Sequence, residues 1–334
     1  MLPRGILRTL VALLLLVVVA VGGYATWYVA SPVSMSRLPA EVEIPRGAGL
    51  RTAIEQLERG GVAVRGAEFE VLARLLGRER AIKAGNYQFT QPLTPIDLLN
   101  KLTRGDVTQA EVRLIEGWTF AQFRAALDAS PDLRHDTAGL TEGEVLAQLE
   151  IQESHPEGLF FPDTYLFAKG ASDLTVLRRA YRAMQRHLNE EWARRAPDVP
   201  LGSPYEALIM ASIIEKETGK AGERDLIGGV FANRLRIGMR LQTDPTIIYG
   251  LGARFDGNLK RNHLEDDGPY NTYTRAGLPP TPIAMPGLAS IRSAVRPAKT
   301  EALYFVSRGD GSSHFSRTMD EHNRAVSRYQ RGGR

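Results

Sequence analysis

Ser203-Pro204-Tyr205-Glu206-Ala207-Leu208-Ile209-Met210-Ala211-Ser212-Ile213-Ile214-Glu215-Lys216-Glu217-Thr218-Gly219 carries its own start and stop signals for a helix. Ser203 is a good N-cap, Pro204 suits the first helical position, and Glu206 completes a capping box. Ala207 to Thr218 follows, and Gly219 is expected to stop it. The apolar run Ala211–Ile214 leads into Glu215-Lys216-Glu217. Residues three and four apart share a helix face. Glu217 therefore stacks over Met210, Ile213 and Ile214, and Glu215 over Ala211 and Ser212. A carboxyl beside isoleucine and methionine is poorly solvated and holds its proton to higher pH. A general acid needs that condition. The plain alternative is two surface glutamates at a helix end, and this helix alone leaves it open. Acids at a helix C-terminus oppose the dipole, so their placement calls for another reason. The two glutamates lie about 200° apart around the helix. They cannot face each other across one glycosidic bond, which needs carboxyls roughly 5 to 9 Å apart. A partner for Glu217 is elsewhere or absent.

Downstream, Phe231–Met239 reads as a helix ending at Gly238. Two kinds of loop follow: Leu241-Gln242-Thr243-Asp244-Pro245-Thr246-Ile247-Ile248-Tyr249-Gly250, then Tyr270-Asn271-Thr272-Tyr273 and Gly277–Ile283. Rigid loops of amides, hydroxyls and aromatic rings commonly line sugar clefts. Glu215, Gln242, Thr243, Asp244, Tyr249, Asn271 and Tyr273 are the candidate substrate contacts, with ordinary loop packing as the competing reading for each. Upstream, Val107–Leu114 alternates weakly and reads as a strand, and Phe120–Leu127 and Leu174–Leu188 as amphipathic helices. Glu157–Tyr165 between them, rich in aromatics and proline, reads as a loop.

The N-terminus places the rest of the chain. Thr9 to Ser36 carries no charge. Leu10 to Tyr28, read as helix, spans roughly 30 Å, the thickness of a bilayer core. Arg4 and Arg8 precede it, which puts a tail at 1–9 in the cytoplasm by the positive-inside rule. Tyr24, Trp27 and Tyr28 then form an aromatic belt at the outer interface. A cleaved signal peptide is the alternative; the aromatic end and poor cleavage context favour a retained anchor over 10–29. Either way, the chain after about Arg37 lies outside the membrane. Residues 30–40 read as a linker adding roughly 35 Å of reach when extended. From Glu41 to Val107 the order is strand, helix, helix, strand, helix. Thr94-Pro95 caps the last helix and Gly105 ends it. This order resembles a LysM-like carbohydrate-binding module; a small domain that only spaces or packs is the alternative.

The composition, 43% hydrophobic and 24% charged over 334 residues, is that of a globular chain. The net charge of 42 − 38 = +4 is spread along it. No basic-aromatic motif accompanies the arginine pairs, so nucleic acid is not an expected partner. Without cysteine the chain has no disulfide framework, cysteine nucleophile or cysteine-borne lipid. Six histidines show no metal-ligand spacing, so no metal and no cofactor is expected.

With these residues in place, the chain resembles the YceG-like family of endolytic murein transglycosylases. The segments that carry the resemblance are Glu157–Tyr165, Ala211–Thr218, Asn233–Gly250, Tyr270–Tyr273, Gly277–Gly287 and Leu303–Val306 followed by His314-Phe315. The likeness runs from about Val42 to Tyr329. Thr281 departs from it, standing where glycine is expected after Pro279-Pro280, which puts a loop turn in question. The resemblance implies an α+β chain: a single N-terminal transmembrane helix, a small LysM-like subdomain over 41–107 and a larger mixed α+β catalytic domain over 108–330. It implies a lyase, a lytic transglycosylase with Glu217 as catalytic residue. Such an enzyme cleaves the bond between N-acetylmuramic acid and N-acetylglucosamine and leaves 1,6-anhydro ends. Implied partners are peptidoglycan glycan strands, the membrane and peptidoglycan synthases, with the catalytic domain on the periplasmic side of the inner membrane. Two rivals stand. A hydrolytic muramidase would need a second carboxylate from Glu157, Asp163, Asp244 or Glu215. A non-catalytic wall-binding tether would need none.

Overall fold

The computed structural model describes residues 4–45, 47–107 and 109–332. Residues 1–3 of the expected tail, Arg46 in the expected turn, Thr108 at the expected domain start, and the side chains of Arg4 and Arg8 lie outside the described residues. The chain divides into two compact units: residues 1–110 with 166–170, and residues 111–165 with 171–334.

The first unit begins with α1 (Arg4–Ala30). Its stretch Ala12–Ala30 is long and apolar enough to cross a bilayer, and its side chains stay exposed almost throughout. Strands β1 (Ala40–Ile44) and β2 (Gly85–Phe89) pair antiparallel, Ala40 opposite Phe89 and Ile44 opposite Gly85. Between them run α2 (Leu50–Arg59) and α3 (Gly66–Leu75); α4 (Pro95–Arg104) follows. β1 alternates Ala40, Val42 and Ile44 inward with Glu41 and Glu43 outward, the period-2 pattern of a half-covered strand. Val42, Ile44, Leu57, Phe69, Tyr87, Phe89, Leu98 and Leu102 make the core. α4 starts and stops as expected: Thr94 accepts from Asp97 N and Gly105 closes it at φ +75°.

The linker reading is corrected. Val33 is buried and donates to Leu93 O (2.8 Å), Ser36 donates to Gly61 O (2.8 Å), and Ala63 donates to Ser34 O (2.8 Å). Met35 pairs with Val62 as a short antiparallel bridge. The segment is docked because its backbone bonds the chain just after α2 and just before α4 while Val33 is buried. The free 35 Å reach does not exist.

The second unit begins within β3 (Gln109–Arg113) and runs on through α5 (Phe120–Asp128), β4 (Leu133–Arg134) and α6 (Glu142–Gln148). β5 (Thr164–Ala168) starts within the segment expected to be loop and belongs for most of its length to the first unit. Back in the second unit, β6 (Ala171–Ser172) runs parallel to β4. Then come α7 (Asp173–Ala193), α8 (Pro204–Glu217), α9 (Arg224–Arg236), α10 (Asp244–Leu251), α11 (Arg261–Glu265) and α12 (Leu288–Val295). An antiparallel hairpin of β7 (Tyr304–Ser307) and β8 (Ser313–Ser316) precedes α13 (Met319–Val326).

Helix α8 is central. All eight residues from Ala207 to Ile214 are buried, as expected of a helix apolar on every side. It packs against α7, α9, α10 and α12. Gly228-Gly229 lets α9 approach that core closely: a Cβ at either position would stand under 3 Å from the carbonyl of Ser293 or Ala298. Both end signals of α8 differ in detail from expectation. Ser203 accepts from Glu206 N, but the Glu206 carboxylate reaches back to Gly202 N (2.7 Å), one residue beyond the box. The stop is Thr218, extended and with its hydroxyl donating to Ile214 O (2.7 Å), so the left-handed glycine cap is not used.

Candidate active site

Glu217 is the last helical residue of α8, where the buried run meets an open cleft of about 720 Å³. Leu241, Gln242, Asp244 and Tyr273 line one side of the cleft, and β7, β8 and α13 the other. The Thr243 hydroxyl donates to Glu217 Oε1. Burial holds the Glu217 carboxyl above its ordinary pKa. The Thr243 bond pulls it down, nearby Asp244 pushes it up, and the Arg234 cation pulls it down. Burial prevails because few water dipoles reach the group to replace its hydration.

The loop that carries Thr243 is held rigidly. Gln242 adopts φ +49°, a left-handed conformation costly for a side-chain-bearing residue. It persists because Gln242 N donates to Thr272 O (3.1 Å) and Thr243 N to Thr272 Oγ1 (3.1 Å). The Thr246 hydroxyl donates to Thr243 O (2.8 Å). Two threonines, Thr272 and Thr246, thus fix Thr243, the residue that touches Glu217. Tyr273 donates its hydroxyl to Asp244 Oδ1 (2.6 Å) along the same wall of the cleft.

Of the expected contacts, Gln242, Asp244 and Tyr273 line the cleft with Glu217, and Thr243 stands behind it. The others are placed elsewhere. Glu215 is nearly buried, accepts from Gly287 N (2.9 Å) and pairs with Arg224 (3.6 Å). Glu116 lies close by, its carboxyl raised by burial and then by Glu215. Asn271 spends its amide on the carbonyls of His263, Leu264 and Asp266, which ties a loop to itself. Tyr249 bonds the buried Glu157 and packs edge-on against Tyr270. Thr281, the departure from the family pattern, is buried with its hydroxyl 2.7 Å from that of Tyr270.

The candidate second carboxylates separate in the same way. Among the residues lining the cleft, Asp244 is the only acid besides Glu217. Asp163 is exposed and caps its own neighbour Thr164. Glu157 is 4% exposed and outside the cleft, accepting from Phe120 N (3.0 Å). Burial pushes its carboxyl up to about 7. Its unfolded value is near 4.5, so between the two the unfolded state is ionised while the folded state keeps the proton. Stability therefore falls as pH rises from about 4.5 to about 7, by about 3 kcal/mol in all. Glu157→Gln is expected to flatten that part of the denaturation profile. An unchanged slope would show that Glu157 does not carry it.

Several cleft residues escaped the sequence reading. Arg234 from α9 is 7% exposed, and among the described residues no carboxylate is bonded to it. It donates to the carbonyls of Leu303, Leu241 and Arg240, and its guanidinium stands 5.2 Å from the Tyr304 ring centroid. His322 stacks on the same Tyr304 ring. A signal for Arg234 existed: Ile227, Val230 and Phe231 precede it at seven, four and three residues, so it falls on an apolar face. Away from the cleft, Asp128, His135 and Asp173 stand close enough to share a cation. Both oxygens of Asp173 already accept, from Asp136 N, Leu174 N and both donors of Thr137, so the group serves as a structural cap.

A model of the YceG-like family matches residues 42–328. An endolytic murein transglycosylase of Bacillus subtilis is 30% identical over 88% of this chain and 86% of its own length. One of Streptococcus pneumoniae is 27% identical over 86% of this chain, which spans only 58% of that longer relative. A crystal structure of a yceG-like protein from Listeria monocytogenes, 30% identical, superposes with a TM-score of 0.55 over 85% of this chain and 97% of that one.

Proposed function

The chain belongs to the YceG-like family, and we propose that it is a membrane-anchored lytic transglycosylase that cuts nascent peptidoglycan strands internally, with Glu217 as its acid–base group. The observation that carries this reading is one carboxyl of raised pKa at the cleft end of a buried helix, oriented by Thr243. Protonated Glu217 gives its proton to the oxygen linking N-acetylmuramic acid to N-acetylglucosamine, and the bond from the anomeric carbon to that oxygen breaks. The carboxylate then takes the proton of the muramyl 6-hydroxyl as that oxygen bonds the same carbon. Glu217 ends protonated, a 1,6-anhydro end is formed and no water is consumed. The acetamido group of the sugar shields the cationic centre, so no second carboxylate is required. With α1 as anchor and its N-terminus cytoplasmic, the cleft would face the periplasm, where cutting ends strand growth and peptidoglycan synthases would be neighbours. The helix pair between two strands in the first unit has the order of a LysM-like wall-binding module.

Asp244 is the acid that a hydrolytic muramidase would use. Product mass decides: each hydrolytic product is heavier by one water than its anhydro counterpart. Products carrying that extra water would replace this reading with hydrolysis, and no products from folded protein would favour a tether.

Thr243→Val tests the support of Glu217. Loss of a hydrogen bond to a charged group is worth about 1.5 kcal/mol or more, roughly tenfold in rate. The lost donor had favoured the carboxylate, so the pKa of Glu217 rises further. The alkaline limb of the pH–rate profile is expected to move to higher pH while the maximal rate drops. A drop with an unmoved limb would mean that Thr243 acts only through folding.

A further inference from the structure

The exposed end of α3 presents apolar side chains that no described residue of its own unit covers. Val71 and Leu75 lie one helical turn apart, 55% and 81% exposed, and Leu76 adds a third apolar side chain at 42%. Arg74 stands between them on the same face, its guanidinium paired with Glu70 (2.5 Å), and exposed Arg80 follows after the turn at Gly77. An apolar stripe rimmed by arginines is the composition of a helix end that rests in a lipid headgroup layer, where the long cationic chains reach phosphates.

The contacts of α3 with the anchor say which way that end points. Just before α3, the carbonyl of Arg65 lies 3.5 Å from the Tyr28 hydroxyl, while its long guanidinium passes 5.1 Å from the Trp27 ring centroid and donates to the Tyr24 hydroxyl (3.1 Å). One turn on, Glu68 accepts from the Tyr24 hydroxyl (2.9 Å). By the Arg65 carbonyl and the Glu68 carboxylate, moving one turn along α3 means moving from Tyr28 to Tyr24 along α1, towards its apolar middle. Val71, Leu75 and Leu76 continue in that direction. The docked segment at Val33–Ser36 prevents the unit from swinging away on a free tether.

We propose that the α3 end, through Val71, Leu75 and Leu76 with Arg74 and Arg80, is a second membrane contact that seats the first unit on the outer leaflet. This rests on reading α1 as a bilayer anchor. The contact would fix the height and orientation of that unit above the bilayer, which a single helix through a loose linker could not do.

The chain has no cysteine, so a single introduced thiol can be labelled without background. Leu75→Cys, Val71→Cys and, in the anchor, Val18→Cys would each carry an environment-sensitive fluorophore. Each full-length protein is placed one per nanodisc of phosphatidylethanolamine and phosphatidylglycerol containing doxyl-labelled lipid. One chain per disc excludes a second copy as the covering surface. Labels at 71 and 75 are expected to shift to the blue, to be quenched by doxyl lipid and to be several-fold less accessible to aqueous iodide than in detergent-free denaturant. If position 18 is quenched by lipid while 71 and 75 remain open to iodide, the membrane contact is wrong and the anchor stands. If position 18 is not quenched either, the anchor reading fails and takes the contact with it.

Discussion

A Glu217→Gln protein is expected to keep its fold and to cleave peptidoglycan at least ~100-fold more slowly than the wild type. Glutamine preserves the volume and the acceptor for the Thr243 hydroxyl, and removes only the transferable proton. The pKa of Glu217 is raised in the folded protein, chiefly by burial. Above that value the native state must hold an ionised, poorly solvated carboxylate, which costs stability that the unfolded chain does not lose. Glutamine carries no such cost, so the variant should be at least as stable as the wild type at alkaline pH. Loss of activity with retained stability is the signature of a group kept for chemistry. The pH dependence follows the same sign: the resting enzyme needs the acid form, so activity falls as pH rises through the raised pKa. Glu215→Gln is the comparison. It loses the ion pair with Arg224 but keeps an acceptor for Gly287 N, so it should weaken the fold more than the reaction. Wild-type turnover in Glu217→Gln would remove Glu217 from the mechanism. A dead Glu215→Gln beside an active Glu217→Gln would move the role to Glu215.

The helix that positions Glu217 was legible because its signals are local. Ser203, Pro204 and an unbroken apolar run act within a few residues, and Ser203 and Pro204 work as read. What local pattern could not reveal was how the ends are finished. Glu206 takes Gly202 N in place of the Ser203 N of a capping box, and that depends on the path of Gly202. Thr218 ends the helix through its own hydroxyl, so Gly219 is not needed as a left-handed cap. The docked segment at Val33–Ser36 was hidden for the opposite reason. Proline and serine mark a loop truthfully, but hydrogen bonds to Gly61, Ala63 and Leu93 are long-range and leave no periodicity in a short stretch.

The candidate site divides on the same line. Gln242 and Tyr273 reach the cleft from loops at the C-terminus of α8, and Asp244 from the first turn of α10, which takes up Asp244–Gly250 of the segment expected to be loop. Asn271 has the same polar character, yet its amide is consumed by three carbonyls of its own loop. Composition alone cannot distinguish an amide that waits for a ligand from one that closes a turn. The β7–β8 hairpin, more than sixty residues from Thr243, completes the cleft, and no spacing within the loops announces it.

Arg234→Met is expected to give the largest loss of stability, about 3–5 kcal/mol, as for a buried charged group stripped from its partners. Arg234 donates to Leu303 O (2.6 Å), to Leu241 O (2.7 Å) and to Arg240 O (3.2 Å). The first carbonyl leads into β7 and the other two into the Gln242–Asp244 loop, so one side chain joins both walls of the cleft. Hydrogen bonds to a charged group are worth about 1.5–3 kcal/mol each, and carbonyls left dry without a donor add their desolvation cost. The three will not add fully, because the freed loop can relax towards water. For a unit of this size the loss lowers the thermal midpoint by on the order of 10 °C. Lysine should recover little, since a single ammonium cannot span carbonyls on two segments as the planar fork does. The electrostatic consequence separates this role from bulk packing. The Arg234 cation lowers the pKa of Glu217, so its removal should move the alkaline limb of the pH–rate profile upward in protein kept folded at low temperature. Packing loss alone would lower the midpoint and leave the limb in place. An unchanged midpoint in Arg234→Met would mean that the cleft walls do not depend on this tie.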